Sequence, residues 1–305
     1  MKYLFKLFAC VICLSRAVIA NDSPNWHLDG TNEGWKDEFL ALQYFHHSEL
    51  QRQWAWHLLG RYQFKGNEQI LDFGCGDGKI TTEVAHIIPQ GHILGVDLSP
   101  SMITLANRCF PPAYYPNATF KQTADVDFCD DHTEKQYDLI FSFCVFHVVP
   151  NPILVLNNLR NRLTDDGRLL LVIPAGNNPA LFQAATEIFD KHQLPAPWSS
   201  KGKAPNSATM RTQEGCINCL TAAGLEPISV TSFHTPTAFF NKHELVEWMI
   251  GTLTANWQVP LEKAEVFFND LVDRMAELDS DVIDQSGAYN MKLSRIEVIA
   301  KQANR

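Results

Sequence analysis

The segment from Ile70 to Gly78 reads ILDFGCGDG, an apolar run that leads into three glycines at alternate positions. The apolar run predicts a buried strand, and the residues after Gly78 predict a helix. Because they lack a Cβ, Gly74, Gly76 and Gly78 allow a tight turn and let a ligand lie against the main chain at the helix N-terminus. The segment therefore predicts a ligand-binding loop between a strand and a helix.

Two carboxylates indicate which ligand this loop would take. Asp97 ends the second predicted strand, where an acid can bind a pair of ribose hydroxyls. Asp72 directly precedes the glycines, where it would repel a pyrophosphate and attract an ammonium group. The spacing is GxGxG, and Lys79 stands where a dinucleotide fingerprint has its third glycine. The loop therefore favours a cationic ligand over NAD or FAD.

Candidate residues for a second substrate come from two other segments. Tyr44, Ser48 and Gln51 are spaced by four and three residues, so a helix would present them on one face. His147 follows an apolar strand, at the end of a sheet where α/β proteins bind ligands. His147 could serve as a base or orient an acceptor. A core position for His147, and packing of the helix face on the sheet, remain alternatives.

Strands alternate with helices along most of the chain, which predicts a parallel sheet joined by right-handed crossovers. The predicted strands are 69–73, 92–97, 118–122, 137–143, 168–173, 226–233 and 294–301. The predicted helices are one long N-terminal helix over 39–62, then 78–88, 100–108, 151–163, 179–191, 212–223 and 261–278. The sequence Asp165-Asp166-Gly167 is interpreted as the stop of the 151–163 helix.

Four motifs in order, LDFGCGDG, GVDLSPSMI, TADVDF and YDLIFSFCVFHVV, make residues 39 to 175 resemble the class I S-adenosylmethionine (SAM) dependent methyltransferases. The resemblance implies an α/β, Rossmann-like fold with seven strands, mostly parallel, helices on both faces and the last strand antiparallel. SAM is the implied cofactor. The implied cofactor-binding residues are Asp72, Gly74, Cys75 and Gly76 at the methionine half, Asp97 at the ribose, Leu98 and Met102 beside the adenine, Asp125 and Val126 at the adenine edge, and Phe143 near the sulfonium.

Within this family, the pattern around the N-terminal helix and His147 resembles the juvenile hormone acid and trans-aconitate methyltransferases. That resemblance implies methylation of a small carboxylic acid, with Gln51 and His147 as catalytic residues that orient the acceptor. The candidate substrate contacts are Gln51, His147 and Val148 from this comparison, Tyr44 from its helix spacing, and Trp248 from an aromatic cluster between the sixth and seventh strands. Val148 departs from the first group, which carries Trp at that position, and this leaves the acceptor open.

Three segments are predicted: a signal-like segment over 1–20, an N-terminal helical cap over 21–66, and a methyltransferase domain over 67–305 with a helical insertion at about 234–285. The insertion is rich in aromatic residues, which would form either a substrate cover or an ordinary core. Residues 1–20 suggest export. SAM dependence suggests a cytosolic site of action, so the localisation stays open.

The composition disfavours several classes of binding partner. A net charge of -9 without a Lys/Arg-rich run disfavours nucleic acid, and the apolar run of residues 1–20 is too short to span a membrane. The eight cysteines predict buried thiols, and Cys216 and Cys219 lack the second pair that a zinc site needs. No metal is expected. The expected partner is a small-molecule acceptor, with another methyl acceptor (an acyl carrier, a quinone or a protein) or a non-catalytic SAM-binding role as alternatives.

Overall fold

Seven strands form one mixed sheet at the centre of the protein. A computed structural model describes residues 37–123, 137–149, 151–176, 178–196 and 210–303. The strands are β1 Gln69–Phe73, β2 His92–Asp97, β3 Ala118–Gln122, β4 Tyr137–Phe143, β5 Leu163–Ala175, β6 Leu225–Phe239 and β7 Tyr289–Gln302. Their order is β3-β2-β1-β4-β5-β7-β6, and β7 runs antiparallel to both of its neighbours. The predicted seven-stranded fold with an antiparallel last strand is confirmed.

Nine α-helices of the described residues flank this sheet. They are α1 Glu38–His47, α2 Glu49–Leu59, α3 Lys79–Ile87, α4 Pro100–Cys109, α5 Pro152–Arg160, α6 Pro179–Lys191, α7 Gln213–Ala222, α8 Lys242–Trp257 and α9 Leu261–Leu278. Successive strand residues point to opposite faces, so Ile70 joins the core under α2 and α9 while Leu71 joins the core under α5 and α7. No helix in the described part of the chain has the length and apolar character needed to cross a bilayer.

The chain reverses its direction across the sheet between β1 and β4. β2 and β3 lie on one side of β1, whereas β4 and β5 lie on the other. In open α/β sheets, ligands bind in the crevice at the carboxyl ends of the strands at such a switch point. The glycine-rich loop follows β1 and Phe143 ends β4, so both of these predicted features lie at this crevice.

The N-terminal helix is interrupted at Ser48, so the prediction of one continuous helix was wrong. The Phe45 carbonyl, in the last turn of α1, accepts a hydrogen bond from the Lys79 ammonium. The Ser48 hydroxyl accepts from the same ammonium at 2.7 Å and donates to the Asp77 carboxylate at 3.1 Å. The break therefore comes from polar groups in the glycine-loop segment, far along the chain, and contains neither proline nor glycine.

The Asp165-Asp166-Gly167 sequence lies inside a strand and does not end a helix. α5 ends at Arg160, and β5 already begins at Leu163. The pairing between β4 and β5 passes from Tyr137–Leu163 to Leu139–Arg168, so the residues between form a bulge. A Cβ at Gly167 would lie 2.9 Å from the Tyr137 carbonyl oxygen, which explains the glycine there.

The last two strands are longer than predicted and carry the inserted helices. β6 and β7 pair from Leu225–Gln302 to Phe239–Tyr289, whereas β5 pairs with β7 only from Ser294 to Ala300. Residues 234 to 239 therefore continue a strand where the insertion was predicted to begin. α8 and α9 connect the far ends of this two-stranded arm. α8 packs so closely on α1 that a Cβ at Gly251 would lie 2.9 Å from the Gln43 carbonyl oxygen.

Replacement of Lys79 by Met should loosen the two N-terminal helices. The change removes the ammonium that bonds to Phe45 and Ser48 and leaves the buried Asp77 carboxylate without its cation. We expect amide exchange in α1 and α2 to become about 10-fold faster or more, since an unpaired buried group costs about 1–3 kcal/mol. Hydrogen–deuterium exchange checks this, with the exposed Lys263→Met as the control. Equal protection in both variants would contradict the assignment.

Candidate active site

The glycine-rich loop turns sharply and brings its backbone against β2. The Gly74 and Cys75 amides donate to the Val96 carbonyl at 2.8 and 2.9 Å. Gly74 has a φ of +81°, and a Cβ there would lie 2.2 Å from the Val145 side chain. Gly76 has a φ of +52° and faces the Tyr44 ring, 3.7 Å from the position of an added Cβ. Glycine is therefore needed at Gly74 for both conformation and space, as predicted.

Asp97 ends β2 with its carboxylate tied to the loop. One oxygen accepts from the Gly76 amide at 2.9 Å and the other from the Ser99 amide at 2.8 Å. Burial raises the pKa of Asp97, and these two amides act against that rise. The carboxylate thus stands at the end of the strand predicted to bind the ribose, held in place before any ligand arrives.

Asp72 lies beneath the same loop and is only 3% exposed. Burial raises the pKa of its carboxyl to about 8; the hydrogen bond from the Thr81 hydroxyl, at 2.6 Å, acts against the rise, and the Asp97 and Asp77 carboxylates add to it. Three acids around one loop disfavour a phosphate and favour a cation. SAM carries a sulfonium and an ammonium, so the charges of these residues fit the predicted cofactor.

A cavity beside the loop brings together residues from distant segments. Its lining includes Asp72, Gly74, Cys75, Gly76, Phe143, Tyr44 and Gln51. The Gln51 Oε1 atom is buried and has no hydrogen-bond partner among the described residues. Tyr44, Ser48 and Gln51, which the sequence predicted to share one helix face, all line this cavity, even though the helix breaks at Ser48. Their predicted contact with an acceptor stays a prediction.

The remaining predicted cofactor residues occupy varied surroundings. Leu98 is 67% exposed at the end of β2, whereas Met102 is buried in α4. Phe143 lines the cavity and stacks on Phe141 with ring centroids 4.8 Å apart. Asp125 and Val126 lie outside the described residues, as does the signal-like segment 1–20. Their roles stay predictions.

The other predicted acceptor residues do not line this cavity. His147 is largely buried, its Nδ1 has no partner among the described residues, and Arg211 donates to its carbonyl at 3.4 Å. Burial lowers the pKa of His147 to about 3, with the Arg211 charge adding to the effect, so the ring is neutral. Val148 is exposed. Trp248 packs in the core against Phe239, with ring centroids 5.5 Å apart, and is not a lining residue.

The sequence analysis missed two polar groupings. The first is the Lys79, Asp77 and Ser48 cluster that holds the N-terminal helices on the glycine loop. The substitution of Lys79 for a fingerprint glycine was its sequence signal, which we interpreted only as evidence against a dinucleotide. The second is a buried pair on β7, Arg295 and Glu297, for which an alternating charged pair in a buried strand was the signal.

Fold and site together define a nucleoside-binding α/β protein, and comparison with known proteins gives its family. Residues 64–224 match the model of a methyltransferase domain, and the chain belongs to this family. The trans-aconitate 2-methyltransferase of Escherichia fergusonii is 28% identical over 261 residues, which cover 85% of this chain and 96% of that protein. The malonyl-[acyl-carrier protein] O-methyltransferase of Bacillus cereus is 33% identical over 138 residues, covering 43% and 48%.

A solved structure supports the same fold. A candidate methyltransferase from Bacillus halodurans superposes with a TM-score of 0.55 at 16% identity, over 83% of this chain and all of that one. The protein is a class I SAM-dependent methyltransferase in the branch that contains the trans-aconitate methyltransferases. SAM, its cofactor, supplies an electrophilic methyl group on a sulfonium. The residues of the loop would bind the cofactor's charged and polar groups, and the transfer itself would then depend mainly on positioning.

The raised pKa of Asp72 predicts a pH-dependent affinity for SAM. Below about pH 8 the carboxyl is protonated and its attraction for the bound cation is lost, so affinity should fall as pH decreases, by up to about 10-fold per unit. Calorimetric titration at pH 6.5, 7.5 and 8.5 measures this. In Asp72→Asn this carboxyl no longer titrates, whereas the ligand's amine and the other groups of the site are unchanged, so the difference between the two proteins isolates Asp72. Identical pH profiles would contradict the assignment.

Proposed function

We propose that the protein transfers the methyl group of SAM to a carboxylate oxygen of a small-molecule acid. The acceptor would enter the cavity that Gln51 and Phe143 line together with the glycine loop. The carboxylate oxygen forms a bond to the methyl carbon as the carbon–sulfur bond breaks, and the bonding electron pair stays on sulfur. No proton moves, so the reaction needs orientation but no base.

The observation that carries this proposal is the protonation chemistry of the cavity residues and of the segment that follows β4. His147, with a pKa of about 3, is a poor base, and burial raises the pKa of Cys144 to about 12 and that of Tyr44 well above its usual value. The carboxyls of Asp72 and Asp97 are hydrogen-bonded within the cofactor loop. An amine or phenol acceptor would need a base near neutrality, whereas a carboxylate is already ionised.

Gln51 supports the proposal by position. Its amide lines the cofactor cavity, and one of its two polar groups is buried without a described partner. An amide offers both donors and an acceptor, so it can hold a carboxylate oxygen in line with the methyl carbon. The Ser48 break helps to set this position, because Gln51 stands in the first turn of α2.

The named relatives agree with an acid acceptor. One is a trans-aconitate methyltransferase and the other an O-methyltransferase of a malonyl carrier, and both aconitate and the malonyl group are carboxylic acids. A suitable panel therefore contains trans-aconitate, malonyl-carrier protein, apolar acids such as dodecanoate, and a phenol and an amine as comparison acceptors. We expect methyl esters as the products, with a transfer rate at saturating SAM that is flat from pH 6 to 9. Methylation of the amine or phenol alone would overturn the proposal.

Replacement of Gln51 by Leu tests its orienting role. The change removes hydrogen bonds to a charged group, each about 1.5–3 kcal/mol, so kcat/KM for the acid should fall at least about 10-fold. The matched control is Gln53→Leu, on the same helix, because Gln53 is exposed and bonds only to Glu49 among the described residues. Steady-state kinetics at saturating SAM makes the comparison. Equal activity of the two variants would remove Gln51 from the site.

A further inference from the structure

A buried arginine lies on β7, on the face of the sheet that α2 covers. Arg295 is 4% exposed, and its guanidinium stands between two aromatic rings, 4.7 Å from the Phe233 centroid and 5.5 Å from that of Trp54. Its Nε donates to Glu297 at 2.8 Å and its Nη1 to Thr235 at 3.1 Å. No described residue accepts a hydrogen bond from its Nη2. This guanidinium therefore has hydrogen-bond donors without a described acceptor.

The strand register places this guanidinium near the site of methyl transfer. Phe143, which lines the cavity, pairs with Val172 on β5, and Arg295 pairs with Pro174 on the same strand. Two strand spacings and two residues of rise put the Phe143 and Arg295 Cα atoms roughly 12 Å apart, within reach of a long side chain. Burial raises the pKa of Cys144, next to Phe143, and the Arg295 charge acts against this rise.

Glu297, the acidic partner of Arg295, also contacts other basic groups, so it does not neutralise Arg295 completely. The Glu297 carboxylate, which is fully buried, also bonds to His57 Nδ1 at 2.8 Å, and the Arg61 guanidinium lies 3.9 Å from it. Arg295 and His57 thus share Oε1 of this one anion, while Oε2 has no hydrogen-bond partner among the described residues and faces Arg61 only at ion-pair distance. A buried guanidinium with an unused donor edge is suited to a carboxylate, which it binds through two parallel hydrogen bonds.

Trp54 supplies a second unused donor beside the guanidinium. Its indole Nε1 is buried and has no acceptor among the described residues, although its side chain is only 7% exposed. Trp54 follows Gln51 by three residues on α2, so the two side chains are neighbours on the helix surface. Gln51 contacts the cofactor cavity, and Trp54 contacts Arg295. The helix therefore connects the transfer site with the arginine.

We propose that Arg295 and the Trp54 indole hold a second carboxylate of the acceptor, so that the preferred acceptors are dicarboxylates whose other carboxylate lies at Gln51. Arg295 is then a specificity-determining residue. This inference rests on the proposed function and narrows it from carboxylic acids to acids with two anionic groups.

The test compares diacids from succinate to suberate, each with the monocarboxylate of the same chain length, such as adipate with hexanoate. We expect at least one diacid to be preferred in kcat/KM by 30-fold or more. The double variant Arg295→Gln/Glu297→Gln removes both charges, so no buried carboxylate is left unpaired. It should lose the preference because KM rises far more for the diacid than for hexanoate, with SAM affinity unchanged.

Two single variants distinguish a role in substrate binding from a role in folding or packing. Trp54→Phe keeps the ring and removes the N–H, so it should lower the diacid preference several-fold, whereas Trp56→Phe, whose indole bonds to Glu83, should leave it intact. Monoacids methylated as well as diacids, or equal loss on both in the double variant, would overturn the inference and leave the proposed function standing. Absence of product from every acid, with SAM still bound, would overturn both.

Discussion

Three carboxylates gathered at the glycine loop, two of them buried, are the constraint on which the site depends. Asp72, Asp77 and Asp97 converge there, and burial together with their mutual charge raises the pKa values of the first and last. Lys79 lies 3.2 Å from Asp77 and balances that one acid. The remaining negative charge is available to a cationic ligand. The same lysine bonds to the end of α1, so the charge balance of the loop also positions the helices that carry Tyr44 and Gln51.

The sequence predicted those parts of the fold that depend on local pattern. The predicted bounds of β1 to β4 match the observed strands. β1, β2 and β4 each pair with a strand on both sides, whereas the edge strand β3 pairs only with β2 and alternates buried and exposed residues. The errors arose where distant residues decide the local structure. The break at Ser48 depends on Lys79, and the Asp165 to Gly167 bulge depends on pairing with β4. Neither of these long-range contacts can be recognised from a short window of sequence.

The candidate site also has one part that local sequence determines and one part that depends on distant residues. The cofactor side is built by one loop and the end of the next strand, so a short motif was enough to predict Gly74, Gly76 and Asp97. The proposed acceptor side would draw on α2 and the β6–β7 arm, which are far apart in the chain. Trp248 was assigned there because it belongs to an aromatic cluster in the predicted insertion, and the structure places it in the core, which was the alternative. Arg295 was overlooked because a charged residue in a strand normally indicates a solvated face.

The charges on the two sides of the cavity suit the proposed reaction. A sulfonium and a carboxylate react to give a neutral thioether and a neutral ester, so charge disappears along the path. Aromatic surroundings, such as the stacked Phe141 and Phe143, stabilise the less charged transition state relative to separated ions. Burial alone would exclude the anion, however, since an unpaired charge is expensive to desolvate. A protein with a net charge of -9 needs a local cation to admit a carboxylate, and a buried guanidinium on β7 meets that need away from the sulfonium.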